Sequence, residues 1–230
     1  MTLPQQPLAV AELAAASNFS FLRGASHPDE MVRQAAALGL AALGIADRNT
    51  LAGAVRAHVA AKEAGIRLVV GARLVLRCGL ELLCFPRDRA AYGRLAKLLT
   101  LGNRRAPKGE CHLDLADVAA AAEGQVFVLM PPARVDAAFA ARAAEAVRRL
   151  GLGEGLGFMA ASLAYGPDDA ARLGRLDALA HDLGVRLMAT SDALYHDPRR
   201  RPLQDVITCI REHVTVAAAG ARLAAMRSGT

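Results

Sequence analysis

Tryptophan is absent and aromatic residues make up only 4% of the 230-residue chain, which excludes a core or platform of stacked rings. The four cysteines, Cys78, Cys84, Cys111 and Cys209, form no CxxC pair. Neither a zinc knuckle nor a disulfide framework is indicated, and reduced thiols at partly buried positions are expected. No apolar run reaches the roughly 18 residues needed to span a bilayer. The opening MTLPQQPLAVAEL also lacks the basic n-region of a secretory signal, so a cytosolic protein is expected. Internal repeats, low-complexity tracts and coiled-coil heptads are missing as well.

What is present is aliphatic. Hydrophobic residues are 53% of the chain, rich in Ala, Leu and Val, and the length suits one sizeable α/β domain with its own core. A formal charge of +6 and a pI near 9.6 suit a polyanionic partner such as DNA, although an Arg-rich and Ala-rich composition produces the same balance.

Residues 1–7, with two prolines and two glutamines, read as a loose arm. A short strand is expected over Leu8–Leu13. Ser26-His27-Pro28-Asp29 reads as a helix start with Ser26 as N-cap, and Gly39 is placed to end that helix. Ala42–Ala46 follows as a buried strand, then a helix over Leu51–Ala64 closed by Gly65. Ile66–Arg77 and Leu80–Phe85 bracket Cys78-Gly79 as a hairpin. A helix over Arg89–Leu101 places Tyr92, Leu95, Leu98 and Leu99 at core spacing, and Gly102–Glu110 reads as a polar loop. The remaining pattern predicts helices over 115–122, 135–150, 168–183 and 203–210, and strands over 126–130, 157–162 and 185–190. Alternating strands and helices, with strands that are continuous apolar runs, predict βα units around a mainly parallel sheet covered on both faces. An open sheet and a closed barrel fit this pattern equally.

In such architectures the ligand-binding residues gather at the C-terminal ends of the strands. Here those ends are Ala14 to Ala16, Asp47-Arg48, the region of Arg73, and Asp192 to His196.

The run SNFSFLRGASHP, followed by ALGLAALGIADRNTLAGAVRAHVAAKEAG and GARLVL, resembles the N-terminal PHP (polymerase and histidinol phosphatase) domain of bacterial error-prone C-family DNA polymerases, relatives of the polymerase III alpha subunit. PLQDVITCIREHVTV resembles the end of the same domain. The resemblance runs over 11–218 and implies a distorted seven-stranded (β/α) barrel of PHP type as a single domain there, with 1–10 as an N-terminal arm and 219–230 as a tail. It also implies a metal cluster, and nearly every matching ligand position is altered. The family's first motif is His-x-His, where this chain has Ala14 and Ala16. The second is aspartate followed by histidine, where Asp47 is followed by Arg48. A glutamate closes the third motif, and Arg73 stands in its place. The last is aspartate with histidine two residues on; Asp192 matches, Leu194 does not, and His196 is displaced by two. His112 is the nearest candidate for a mid-chain histidine.

A guanidinium and a divalent cation about 5 Å apart repel by roughly 6 to 7 kcal/mol at an effective dielectric near 20, and arginine is effectively never neutral. Asp47 and Asp192 are therefore expected to be vestigial ligands, with no metal bound and with Arg73, and Arg48 beside it, neutralising them. The implied function is a non-catalytic, structural PHP module of a translesion polymerase. Its partners would be the palm and thumb domains or other subunits of an error-prone polymerase, with DNA reached through a basic surface, and the chain alone would be inactive as polymerase and as phosphoesterase. Two other readings stay open: a Mn- or Zn-dependent phosphoesterase or 3′–5′ exonuclease that recruits Asp47, Asp192, His196 and further ligands, and a stand-alone DNA-binding or interaction module. For the last, Arg199, Arg200 and Arg201 between two prolines form the basic cluster suited to a phosphate backbone; a solvated turn suits the same residues.

Overall fold

Short aliphatic runs bounded by glycine and polar turns become strands, and the alanine-rich stretches between them become helices with one apolar side. The computed structural model describes residues 9–152, 157–163, 166–220 and 223. In order the elements are β1 (Ala11–Ala15), α1 (Pro28–Ala37), β2 (Ala42–Arg48), α2 (Ala54–Ala64), β3 (Arg67–Val75), β4 (Glu81–Pro86), α3 (Arg89–Arg105), α4 (Leu115–Ala120) and β5 (Gln125–Met130). They continue with α5 (Ala137–Leu150), β6 (Gly157–Ala161), α6 (Asp169–Asp182), β7 (Arg186–Ala189), a 3-10 turn (Pro198–Arg200), α7 (Arg201–Arg211) and α8 (Val216–Ala219). Most of the expected arm (residues 1–8) and tail (221–222 and 224–230) lies outside the described residues.

The seven strands form one curled sheet in sequence order. β1, β2 and β3 run parallel, the β3–β4 hairpin reverses direction, β4 pairs antiparallel with β5, and β5, β6 and β7 are parallel again. This is the expected PHP-type α/β architecture, with the hairpin turning on Gly79 at φ 81°. Alternate residues of each strand face opposite ways. Ala14, Ala46, Leu83, Phe85, Val128, Met130 and Ala160 form a cluster inside the curl. Leu43 and Ile45 pack outward with α1 and α2, and Leu82, Cys84, Phe127 and Leu129 pack outward with α3 and α5.

Several local expectations are corrected. The first strand lies at Ala11–Ala15 rather than over Leu8–Leu13, because Ala14 and Ala15 are small enough to be fully buried. A bulge follows Glu12, where Leu13 and Ala14 face only Gly44 of β2; a Cβ on Gly44 would come within 2.7 Å of the Leu13 carbonyl oxygen. The N-cap of α1 is His27, not Ser26, and the Glu30 carboxylate accepts from the His27 backbone N–H at 2.8 Å. Ser26 is buried and turned to His196 instead. The second helix begins at Ala54, not Leu51; Ala52 N donates to Thr50 Oγ1 in a turn before it. Helix α3 does not stop at Leu101 but runs to Arg105, so half of the expected polar loop is helical. Gly102 makes this possible, since a Cβ there would lie 2.6 Å from Cys111 Sγ. Tyr92 is 40% exposed, whereas Leu95, Leu98 and Leu99 are buried as expected.

Candidate functional site

β1 and β7 form no ladder with each other, and a polar seam joins them at the end where the expected site residues lie. Glu12, buried on β1, reaches across it. Its carboxylate accepts from Ser191 N at 2.6 Å, Ser191 Oγ at 2.6 Å, Thr190 Oγ1 and, within its own bulge, Ala14 N at 2.6 Å. Backbone bonds from Ala16 N to the Ala193 oxygen (2.9 Å) and from Ala25 N to the Leu194 oxygen (2.8 Å) continue the seam. Ala14 and Ala16 are buried beside it with methyl groups, and Leu194 contributes its backbone oxygen.

Strand parity sorts the charges. Arg48 shares the inner face with Ala46, Arg73 shares it with Val69, and Glu81 shares it with Leu83. Arg48 and Arg73 are also register partners across β2 and β3, so two like charges sit side by side, an arrangement that destabilises a sheet unless an anion intervenes. Glu81 intervenes, with Oε1 2.7 Å from Arg48 Nη1 and Oε2 3.5 Å from Arg73 Nη1. The Arg73 guanidinium then makes a two-pronged contact with Asp192, closely from Nη2 and at 3.4 Å from Nη1. The result is an alternating row, Arg48, Glu81, Arg73, Asp192, along the inner rim. Burial works against the Arg73 charge, but Asp192 and then Glu81 outweigh it and hold the guanidinium above its ordinary pKa.

Asp47 is not part of this row, which corrects the expectation that arginine neutralises it. It points to the opposite face, buried beneath the loop that follows β1. Oδ1 accepts from Ser17 N (2.7 Å) and Ser20 Oγ (2.7 Å), and Oδ2 accepts from Ser17 Oγ (2.8 Å). Burial pushes its carboxyl pKa up, against the lowering effect of the Ser20 and Ser17 hydrogen bonds. A Cβ on Gly53 would fall 2.6 Å from Oδ2, so glycine before α2 leaves room for this carboxylate.

The displaced His196 is also engaged elsewhere. Ser26 Oγ lies 2.7 Å from its Nδ1 and accepts from its backbone N–H at 3.0 Å, while Glu30 stands 3.9 Å from the ring. His112, in the loop after α3, pairs with Glu110 at 3.0 Å. The basic cluster is paired as well: Arg199 with Asp197 at 2.8 Å, Arg200 with Glu30, and Arg201 with Asp205 at 3.9 Å.

These residues do not fit a di- or trinuclear metal centre. Such a centre needs several carboxylates and imidazoles converging on each ion. Among the described residues, no group of three or more His, Cys, Asp or Glu side chains could hold one. Asp47 and Asp192 lie on different faces, and a guanidinium occupies the one on the inner rim. Sequence reasoning missed Glu12, Ser17, Ser20, Ser26 and Glu81. Glu81 carried a signal: it shares parity with the inward residues Leu83 and Phe85.

A curled seven-stranded sheet of this topology, with polar residues at the β1, β2, β3 and β7 ends, is the frame of a PHP domain. The PHP domain family model matches residues 12–149, more than half of the chain, and the chain belongs to this family. Among individual proteins it is 50% identical over 221 residues to an error-prone DNA polymerase of Caulobacter vibrioides, covering 96% of this chain and 20% of the polymerase. It is 49% identical over 215 residues to that of Brucella abortus, covering 91% of this chain and 20% of the other. The chain thus spans about a fifth of the length of the curated relatives it matches. Solved structures share the fold at low identity. A Bifidobacterium adolescentis protein assigned as a metal-dependent phosphoesterase superposes with a TM-score of 0.60 at 17% identity, covering 84% of this chain and 90% of its own. A lesion-specific endonuclease from Pyrococcus furiosus superposes at 0.56 with 12% identity, covering 84% of this chain and 50% of its own. Among the described residues no helix is long and apolar enough to cross a membrane.

Proposed function

We propose that this chain is a non-catalytic, metal-free PHP module of an error-prone, polymerase III alpha-like protein, with a structural role in translesion and repair synthesis in the cytoplasm. The observation that carries the reading is the Arg73 guanidinium held against Asp192 and Glu81 on the inner rim. In a metal-loaded PHP domain this region would need anionic and imidazole donors, and a fixed cation there opposes a divalent ion instead of holding it. Half-identity to error-prone polymerases across nearly the whole chain supports the polymerase context. The partners of such a module are the palm and thumb domains, or other subunits, of an error-prone polymerase. The test is elemental analysis of the purified protein, paired with hydrolysis of a generic phosphate ester and of single-stranded DNA with added manganese or zinc. Sub-stoichiometric metal and no metal-dependent turnover are expected from folded protein. Stoichiometric metal, or turnover that depends on it, overturns the proposal in favour of a phosphoesterase or 3′–5′ exonuclease whose ligands include Asp47, Asp192 or His196.

A further inference from the structure

Beside the inner rim, and separate from Arg73 and Asp192, lies an open cleft of about 920 Å³ between the loop after β1, the end of β3, and the segment joining α3 to α4. Arg23, Arg48, Arg77, Lys108 and Arg211 line it, and Glu110 is the lining carboxylate, already paired with His112. Arg48 has Glu81, Arg77 has Asp114 at 3.7 Å, and Arg211 has Glu212 at 3.0 Å. Among the described residues, Arg23 and Lys108 form no salt bridge; the half-buried Arg23 guanidinium makes no hydrogen bond, and Glu81 acts on it only at longer range. Burial, then the neighbouring charges of Arg48 and Arg211, draw its pKa down; Glu81 opposes them and Arg73 adds to them, with a net lowering.

Phe21 stands on the lip of the same cleft and is 82% exposed. An exposed phenylalanine on a loose loop would mean little, but this loop is held from both sides. Asp47 fixes Ser17 and Ser20 from below. From above, Gln204 Nε2 donates to the Arg23 oxygen (2.7 Å) and Arg211 Nη1 to the Leu22 oxygen (3.0 Å). Between them Leu22 is kept at φ 55°, a left-handed conformation that a branched residue adopts only when its surroundings impose it. Gly24 closes the turn where a Cβ would lie 2.1 Å from the Ser17 oxygen.

We infer that this cleft is a binding site for single-stranded nucleic acid, with Arg23 and Lys108 taking backbone phosphates and Phe21 stacking on a base. Unpaired cations along a groove with a rigidly presented ring are the two elements that sequence-tolerant single-strand binding uses. The assignment replaces Arg199, Arg200 and Arg201, whose charges are taken up by Asp197, Glu30 and Asp205. It goes beyond the structural reading above and holds whether or not a metal binds.

The experiment is fluorescence anisotropy of a labelled oligo(dT) titrated with the full chain over a range of salt, comparing Arg23→Gln, Phe21→Ala and Arg199→Gln. None of these side chains supports the core, and thermal melts confirm that each variant is folded. Arg23→Gln should weaken binding about tenfold and lower the slope of log K against log salt by about 0.7. Phe21→Ala should weaken it about tenfold with the salt slope unchanged, and Arg199→Gln should bind as the parent. Absence of salt-dependent binding, or equal binding by the parent, Arg23→Gln and Phe21→Ala, overturns the inference. So does a polyglutamate that competes as well as oligo(dT) at equal charge while Phe21→Ala has no effect, because the cleft would then take an acidic protein segment.

Discussion

Replacing Arg73 by methionine keeps the aliphatic stem and removes the charge, which isolates the electrostatics of the inner rim. The side chains involved are only 13% (Arg73), 29% (Glu81) and 32% (Asp192) exposed. At about 4 Å and an effective dielectric near 20, one such pair is worth roughly 4 kcal/mol of Coulomb attraction. Desolvation of the guanidinium offsets part of this, and water reaching Asp192 screens more. Arg48 still serves Glu81 in the variant, so the stranded group is Asp192. The expected cost is about 2 to 4 kcal/mol, at or below the range for fully buried pairs, read as a urea midpoint lower by about 1 M. The double variant Arg73→Met/Asp192→Asn should recover about 1 to 2 kcal/mol relative to the sum of the singles, because no charge is left without a partner. Equilibrium urea unfolding at neutral pH, in low salt and again in about 1 M salt, checks this; a pair this enclosed is screened weakly. A single-variant cost below about 1 kcal/mol that high salt abolishes would place the pair in the class of surface ion pairs and refute the argument.

Two further perturbations test the other carboxylates. Burial raises the Asp47 pKa above its unfolded value, so its stabilising contribution is complete below about pH 4 and is lost as pH rises through the folded value. Asp47→Asn, which cannot ionise, should therefore gain stability relative to the parent between pH 4 and pH 7 in urea melts, and a relative loss over that window would mean the serines hold the charged form. Glu12→Ala should cost about 3 to 5 kcal/mol, since it strips hydrogen-bond acceptance from Ala14, Thr190 and Ser191 at once. Amide hydrogen exchange should show the loss concentrated at β1 and at 189–193, and uniform loss over the sheet would count against a seam.

The family motifs make Arg73 and Asp192 legible in the sequence, because both occupy positions that the PHP pattern marks. Their partners are not. Glu81 enters only once the hairpin register sets it on the same face as Arg48 and Arg73. Asp47 and Arg48 are adjacent in sequence and look like one site, but consecutive strand residues face opposite sides, and that parity separates them. Ser26 has the residue type and spacing of an N-cap, and a contact 170 residues away decides its role. The run of strands and helices was readable from apolar pattern and glycine placement. The extension of α3 past Leu101 was not, because a glycine in that run signals a break unless Cys111 and Leu113 are known to pack against it.

The row of charges on the inner rim acts as a ratchet, because its members are paired with one another and no single change leaves the rest satisfied. Changing Arg73 alone to glutamate sets it beside Glu81 and Asp192 with neither an ion nor an imidazole to bind one. A histidine introduced alone at Ala14 or Ala16 places a bulky ring where the space is buried around a methyl group. On the metal-free reading proposed above, each of these single steps gives up an ion pair or a packed methyl before it gains a ligand set. A domain wired in this way changes more easily at its surface than at its rim.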